Sequence, residues 1–403
     1  MIELVAIGDE VLHGYTVNAN ASFIAKTLLE HGFVSVRHTV VGDDEKAVSQ
    51  VLQEALARSS IVITTGGLGP TCDDWTRKIV ADLFRVALVE PEGLREKLIS
   101  RFGKNFPTLE DQVLQVKGAH LFENRLGTAS GFTLNNVICL PGVPQEMKAM
   151  LVEEVIPYLK ATLPLVKRLF VEPIHFHTLK EPEVDAVLRL MQQKVPEVTY
   201  GIYPGYSTLT VHLCAYAANE EEKKRLFQPA KKLLLEQFGA FVYISNQGKL
   251  TEAVHTRLLE KGLTLSLAES CTGGALSASF VQYPDASQYL QGSIVSYSNK
   301  SKQELLGVDP ELFKTVGAVS TEVTEMMALG AKKKFSTDIA IAVSGILGPG
   351  GATATKPVGT VSATIVCANQ QVHSWTMHFV GNRSSILEQT IQAIHAHLLS
   401  LLT

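Results

Sequence analysis

Short apolar runs rich in β-branched residues alternate with amphipathic stretches at both ends of this chain. IELVAIG (2–8) and IVITT (61–65) have the length and composition of buried strands, and NANASFIAKTLLEHG (18–32) has the apolar spacing of a helix. LTLSLA (263–268) begins the same rhythm again toward the other end. Strand–helix alternation is typical of a parallel sheet covered on both faces. The sequence therefore predicts an α/β architecture for both ends.

The alternation is interrupted in the middle of the chain. Residues 166–248 mix strand patterns with helical ones, including a long helix with an internal proline in EEEKKRLFQPAKKLLLEQFG. This pattern predicts a small α+β module, and 403 residues suffice for three domains. We expect an α/β protein in which two α/β domains (1–165 and 249–403) are joined by that module.

Composition and charge exclude several classes of protein. A net charge of −4 makes nucleic acid an unexpected partner, because such binders need a concentrated basic face. No apolar run approaches the length of a membrane span, and the first residues lack the basic start of a signal peptide. The 5 cysteines are scattered without CxxC spacing, as is typical of a reducing compartment. We expect a cytoplasmic protein.

A glycine-rich turn in IVITTGGLGPTCDDWTRKIVADLF (61–84) is the first candidate site. Its glycines allow the backbone to approach a ligand, and a helix beginning near Asp73 would aim N–H groups at an anion such as phosphate. Asp73 and Asp74 would repel a phosphate unless a divalent cation lay between them. The alternative is a tight turn with Asp73 as helix cap.

ESCTGG, directly after LTLSLA, is the second candidate site. A buried strand would deliver Ser270 to the start of a helix, at the sheet edge where α/β proteins bind ligands. No histidine lies near the motif, so the candidate bases are Lys302 and Tyr297 in SYSNKSKQELLGV. The alternatives are Ser270 or Thr272 as a helix cap and Lys302 as a solvated residue.

GGLGPTCDD resembles the GGxGxxxxD signature of the molybdopterin-binding MogA/MoaB-like fold. Together with TVVGDDE, NRLGTASGF and PGVPQEM, it is similar to the N-terminal domain of the CinA family of competence/damage-inducible proteins. That resemblance implies a MogA/MoaB-like domain that hydrolyses the diphosphate of ADP-ribose or a related dinucleotide with a divalent cation. It implies a substrate wall of Gly66, Gly67, Gly69, Pro70, Thr71, Asn20, Gly127, Thr128 and Gly142. It implies cation ligands Asp73 and Asp74, with Glu10 close by.

AESCTGG, YSNKSK, SGILGPGG and KPVGT are similar, in order and spacing, to the C-terminal domain of the CinA family, which also exists alone as the amidase PncC. The resemblance implies conversion of nicotinamide mononucleotide (NMN) to nicotinate mononucleotide and ammonia, without a cofactor. Ser270 would be the nucleophile, Lys302 the base and Tyr297 a proton relay or orienting group, with Cys271 as the rival nucleophile. The implied substrate contacts are Thr272, Gly273, Gly274, Gly345, Gly348, Gly350, Gly351, Thr355, Lys356 and Arg383.

The middle module corresponds to a segment described as KH-like in that family. Residues 166–248 contain no GxxG loop, so we interpret the module as a spacer or dimerisation element. The resemblance implies a homodimer and a bifunctional enzyme of pyridine nucleotide salvage. A nucleotide-binding regulator of competence or DNA damage is the alternative of another class. Molybdopterin binding by the N-terminal domain rests on fold analogy.

Overall fold

Buried strands and amphipathic helices alternate along the chain, which confirms the predicted α/β fold class. The computed structural model describes residues 1–71, 74–103, 108–163 and 165–402. These residues form two compact units: residues 1–170 with 216–223, and residues 171–215 with the described residues from 224 onward. The segment predicted as a separate module thus contributes to both units. Within the described residues, no helix is long and apolar enough to cross a membrane.

The N-terminal segment contains one large sheet, one small sheet and eight α-helices within its described residues. Its strands are β1 (Ile2–Ile7), β2 (Ser35–Val41), β3 (Ile61–Thr65), β4 (Leu88–Val89), β5 (Gln115–Val116), β6 (His120–Phe122), β7 (Gly131–Leu134) and β8 (Val137–Leu140). Its helices are α1 (Asp9–Leu12), α2 (Ala19–Glu30), α3 (Glu45–Arg58), α4 (Thr76–Phe84), α5 (Leu94–Phe102), α6 (Leu109–Val113), α7 (Pro144–Met150) and α8 (Ile156–Thr162), with a π-helical turn at Leu151–Val155.

The large sheet has the order β2-β1-β3-β8-β7-β6. Its first four strands are parallel, whereas β7 and β6 follow by antiparallel pairing because short turns, not helices, connect them. Side chains of β1 alternate between two cores, Ile2 and Leu4 on one face and Val5 and Ile7 on the other. The sheet is therefore covered on both faces, and the carboxyl ends of β1, β3 and β8 meet at one edge.

The middle segment forms a four-stranded sheet with the order β10-β11-β9-β12. Its strands are β9 (Arg168–His177), β10 (Thr199–Gly205), β11 (Thr208–Ala217) and β12 (Val242–Tyr243). Its helices are α9 (Glu181–Lys194) and α10 (Glu220–Phe238), followed by a 3-10 turn at Gly239–Phe241. The proline predicted inside a long helix lies within α10 as Pro229.

The C-terminal segment is built on a five-stranded sheet with the order β14-β13-β15-β16-β17. Its strands are β13 (Leu265–Glu269), β14 (Leu290–Val295), β15 (Ile339–Gly345), β16 (Thr360–Val366) and β17 (Val372–His378). Its helices are α11 (Leu250–Lys261), α12 (Ala275–Val281), α13 (Asn299–Leu306), α14 (Pro310–Thr315), α15 (Thr321–Phe335) and α16 (Arg383–Leu402), with a 3-10 turn at Ala286–Gln288.

Strands β14, β13 and β15 are parallel, but β16 pairs antiparallel with β15. The Gly-rich stretch between β15 and β16 contains no helix that could carry the chain back for a parallel pairing. Along β15, Ile341 and Val343 enter one core while Ala340 and Ala342 face the other. The three parallel carboxyl ends place the ESCTGG turn, the YSNKSK segment and the start of the Gly-rich loop at one edge.

Candidate active site

Ser270 lies at the carboxyl edge of the C-terminal sheet, immediately after β13. Its backbone N–H donates to the carbonyl of Val343 in β15 (3.0 Å). On the other side of β13, the N–H of Ser296, which directly follows β14, donates to the carbonyl of Glu269 (2.8 Å). Two strand neighbours therefore fix the backbone on which the predicted nucleophile sits.

Lys302 meets Ser270 from the first turns of α13. Its side chain is buried, with 1% of the residue exposed, and its Nζ lies 2.9 Å from Ser270 Oγ. Nζ also donates to the carbonyls of Ser296 (2.8 Å) and Tyr297 (3.2 Å). In a neutral amine, two N–H bonds can serve these carbonyls while the lone pair accepts the Ser270 hydroxyl proton.

Burial also changes the protonation of this lysine. It lowers the pKa of Lys302 from its ordinary 10.5 to about 8, because the charged form loses its hydration. A neutral amine is therefore accessible near neutral pH. The alternative of a solvated Lys302 is wrong, and the pair has the contact that a general base and its nucleophile need.

Tyr297 reaches the pair through its main chain. Its carbonyl accepts from Lys302 Nζ, whereas the residue is 66% exposed. Within the described chain, no hydrogen bond joins the Tyr297 hydroxyl to Ser270 Oγ or Lys302 Nζ. The relay role of the hydroxyl stays a prediction, while the carbonyl accepts one of the hydrogen bonds that orient the lysine.

The N–H groups at the start of α12 are already occupied by a carboxylate of the chain itself. The buried carboxylate of Glu269 accepts from the N–H groups of Gly274 (2.9 Å), Leu276 (3.1 Å) and Ser277 (2.9 Å). Neither Ser270 nor Thr272 caps the helix, since Gly274 occupies the cap position without a side-chain bond. Both sequence interpretations of the turn therefore missed the residue that closes it.

A cavity of about 260 Å³ opens beside Ser270 and Lys302. Of the predicted substrate contacts, Gly345, Gly348, Gly350, Gly351 and Arg383 line it. Thr272, Gly273, Gly274, Thr355 and Lys356 are not among its lining residues. Sequence reasoning did not single out the further lining residues Asn299, Ala318, Val319, Ser344 and Ile346.

Lys356 and Arg383, the two cationic side chains predicted to contact substrate, differ in whether they line the cavity. Lys356 Nζ donates to the carbonyls of Val316 and Val319, so it ties the Gly-rich loop to the segment before α15. Arg383, exposed at the start of α16, lines the cavity and donates to the carbonyl of Gly348 (2.8 Å). Arg383 therefore remains available to an anionic substrate group, and Lys356 has a structural role.

Cys271 lines the cavity but is a poor nucleophile. It is buried in the core cluster, and burial raises the pKa of its thiol to about 12. We expect Cys271→Ala to change the rate of the amide hydrolysis that the family resemblance implies by less than about threefold, because a protonated thiol does not attack. A steady-state ammonia assay checks this, and a loss comparable to that of Ser270→Ala would make Cys271 the nucleophile instead.

The glycine-rich turn of the N-terminal unit follows β3 at the corresponding edge of its sheet. Gly66 has φ +107, and a Cβ there would lie 2.1 Å from the carbonyl oxygen of Ile7. Buried Arg77 donates to the carbonyls of Leu68 (2.9 Å) and Gly69 (3.0 Å), which anchors the turn from below. Helix α4 begins at Thr76, three residues after the predicted start.

We expect Gly66→Ala to lower the free energy of unfolding of the N-terminal unit by about 2–4 kcal/mol, because the methyl group would strike Ile7. The matched control is Gly14→Ala, at φ +76 with no atom within 4 Å of the added Cβ, which should cost about 1 kcal/mol. Thermal or urea unfolding of both variants measures the difference, and equal losses would contradict the steric account.

The other predicted phosphate contacts surround the same edge. Asn20 donates to Thr65 Oγ1 (3.2 Å) and to the carbonyl of Gly142 (2.7 Å). Gly127 lies against the carboxylate of Glu146, within a loop that also contains half-buried Thr128. Gly67 packs on Thr76, and Pro70 continues the turn to Thr71.

The carboxylates predicted to hold a cation do not form a complete site among the described residues. Asp74 accepts from the backbone N–H (2.8 Å) and hydroxyl of Thr71. Glu10 packs against Gly8, and no group of three or more His, Cys, Asp or Glu side chains in the described ranges is placed to hold a metal. Asp73 lies outside the described residues. The described carboxylates alone therefore do not complete a cation site.

Family models match both ends of the chain. The model described as the CinA C-terminal domain covers residues 247–402, and the one described as a probable molybdopterin binding domain covers residues 3–161. A CinA-like protein of Prochlorococcus marinus is 38% identical over 377 residues, which span 91% of this chain and 89% of the relative. One of Rippkaea orientalis is 35% identical over 98% of this chain and 97% of its own length. The chain belongs to the CinA family.

Among solved CinA-family structures, the competence/damage inducible protein CihA of Agrobacterium tumefaciens is 33% identical, with a TM-score of 0.38. It aligns with 40% of this chain and 98% of its own. The names of these CinA relatives state no reaction.

Proposed function

We propose that the C-terminal segment is a nicotinamide-nucleotide amidase that converts NMN to nicotinate mononucleotide and ammonia. The observation that carries the proposal is the 2.9 Å contact between Lys302 Nζ and Ser270 Oγ at a cavity. The contact supports a buried nucleophile–base pair, and the motifs of the segment resemble, in order and spacing, those of the CinA C-terminal domain. The described lining residues include no histidine that could take the base role instead.

The first half-reaction forms an acyl-enzyme. Neutral Lys302 takes the hydroxyl proton as Ser270 Oγ attacks the carboxamide carbon, which gives a tetrahedral adduct. Lys302 then returns that proton to the amide nitrogen, the carbon–nitrogen bond breaks, and ammonia leaves. The ester on Ser270 retains the pyridinium nucleotide.

Water completes the cycle by the reverse proton path. Lys302 takes a proton from water, whose oxygen attacks the ester carbon, and the proton returns to Ser270 Oγ as the carbon–oxygen bond breaks. The balance is NMN plus water giving nicotinate mononucleotide plus ammonia. No metal or cofactor enters this scheme. Arg383 is the cavity cation that we assign to the phosphate of NMN.

Ammonia release from NMN by the purified chain in EDTA tests the proposal. Nicotinamide riboside, which lacks the phosphate, should be a poorer substrate because Arg383 then has no anion to bind. Release from NMN would support the amidase. A folded protein that binds NMN without releasing ammonia would instead support the nucleotide-binding regulator.

We propose for the N-terminal unit the hydrolysis of ADP-ribose or a related dinucleotide with a divalent cation. The glycine turn above Arg77 supports a diphosphate site, since a Cβ-free turn permits close approach of the backbone to the ligand. AMP formation from ADP-ribose with Mg²⁺ or Mn²⁺, against EDTA, tests it. Tight molybdopterin binding without hydrolysis would favour the other ligand class. We also propose a homodimer, which light scattering would test.

A further inference from the structure

Glu269 is a buried acid next to the proposed nucleophile that the amidase scheme does not use. It ends β13 with no exposed surface, and a carboxylate in such a place is costly unless it is hydrogen-bonded. It receives bonds from three N–H groups around the start of α12 and one from the hydroxyl of Ser293 in β14 (3.0 Å). The carboxylate thus joins three elements at one point.

The chain between these contacts is the nucleophile turn. Ser270 follows Glu269 directly, and the backbone returns to the same carboxylate at Gly274 (2.9 Å). The turn is therefore closed by a covalent link at one end and by hydrogen bonds to the helix start at the other. Because the helix N–H groups carry partial positive charge, a carboxylate is the side chain that closes it most strongly.

The backbone of the same residue reaches the base. The carbonyl of Glu269 accepts from the N–H of Ser296, whose own carbonyl accepts from Lys302 Nζ (2.8 Å). Glu269 therefore fixes the backbone that carries Ser270, and it is hydrogen-bonded to Ser296, whose carbonyl orients Lys302. A small displacement of the turn would lengthen the 2.9 Å contact between the two reacting side chains.

We propose that Glu269 is a positioning residue, whose carboxylate holds the nucleophile turn so that Ser270 Oγ stays in hydrogen-bond contact with Lys302. The inference rests on the proposed serine–lysine chemistry and extends it to a residue that need not touch substrate. It also means that α12 does not bind the phosphate of the substrate, because its first N–H groups already hold a carboxylate.

The test uses Ser270 labelling by a fluorophosphonate, followed by mass spectrometry of the full-length protein. Ser270 Oγ attacks phosphorus, Lys302 takes the hydroxyl proton and fluoride leaves, so the rate reports on the activated serine without NMN. In Glu269→Gln, an amide NH₂ faces N–H donors, and we expect labelling to be at least about tenfold slower. Ser293→Ala removes one bond and should slow labelling by about two- to fivefold.

The matched control is Asp338→Asn at the opposite end of the sheet. The carboxylate of Asp338 accepts from the N–H (2.9 Å) and hydroxyl (2.7 Å) of Thr264. The substitution therefore also removes a carboxylate that binds the backbone, but at a position far from Ser270. Ser270 in Asp338→Asn should be labelled at the wild-type rate, even if this variant loses as much thermal stability as Glu269→Gln. A merely structural role for Glu269 predicts equal labelling rates in all variants once the folded fraction is matched.

The labelling rates of these variants either support or overturn the positioning role of Glu269. Wild-type labelling rates in Glu269→Gln or, if that variant does not fold, in Ser293→Ala would overturn the inference, as would absence of label on Ser270 in the wild type. Slower labelling in these variants with normal labelling in Asp338→Asn supports it. Ammonia release from NMN is measured separately, so a labelled wild type that leaves NMN intact refutes the amidase and not the positioning role.

Discussion

Ser270→Ala is expected to reduce ammonia release from NMN by about 10³-fold or more, because the oxygen that forms the acyl-enzyme is gone. NMN binding, measured by calorimetry, should change little, since the hydroxyl contributes to bond formation rather than to the phosphate contact. The measurement is steady-state ammonia production at saturating NMN.

The matched control for that variant is Ser400→Ala, whose hydroxyl donates to the carbonyl of Ala396 (3.0 Å) near the far end of α16. It should retain wild-type activity. Substantial turnover by Ser270→Ala, with Cys271 intact, would mean that the serine is not the nucleophile.

Lys302→Met is expected to lower the turnover number by a similar factor of about 10³, because methionine fills the buried space without accepting a proton. In the wild type, the base form is the neutral amine, and the pKa of Lys302 is lowered by burial to about 8. The rate of NMN deamidation should therefore rise with pH below about 8 and level off above it.

The sign of this pH dependence separates the base role from a purely electrostatic one. If the charged ammonium were the active form, the rate would fall as the pH rises through the same range. Lys300→Met, at an exposed position one residue into the same helix, is the control and should keep both the activity and the pH profile. A sloping profile that persists unchanged in Lys302→Met would assign the titration to another group.

Periodicity and turn composition predicted the sheets of this protein better than its sites. Apolar runs identified β3 and β13, and the glycines after them marked the two candidate edges. The antiparallel return from β15 to β16 could have been inferred from the missing helical pattern in the Gly-rich loop. Ser270 and Lys302 are thirty-two residues apart in sequence. Their spacing alone does not show that the two side chains touch, so the pairing was predicted from the family resemblance.

Sequence reasoning missed Glu269, and it did not foresee that Tyr297, a predicted proton relay or orienting group, contacts Lys302 through its carbonyl. Glu269 binds N–H groups of a helix start, and Tyr297 orients Lys302 by its carbonyl, so neither side chain forms a recognisable spacing pattern. Lys356 was predicted as a substrate contact because it follows a glycine-rich loop. Its ammonium instead binds two carbonyls of a segment that only the fold brings near. An acid that ends an apolar strand directly before a candidate nucleophile was the one available signal.

Acyl transfer by the buried pair of Ser270 and Lys302 requires a covalent intermediate on the serine. Rapid acid quenching of the enzyme during NMN turnover, followed by peptide mass spectrometry, tests it most directly. We expect a nucleotide ester on the peptide that contains Ser270, and fragmentation of that peptide should place the ester on Ser270 itself. Full ammonia release through a single turnover with no adduct, or with the adduct on Cys271, would contradict it.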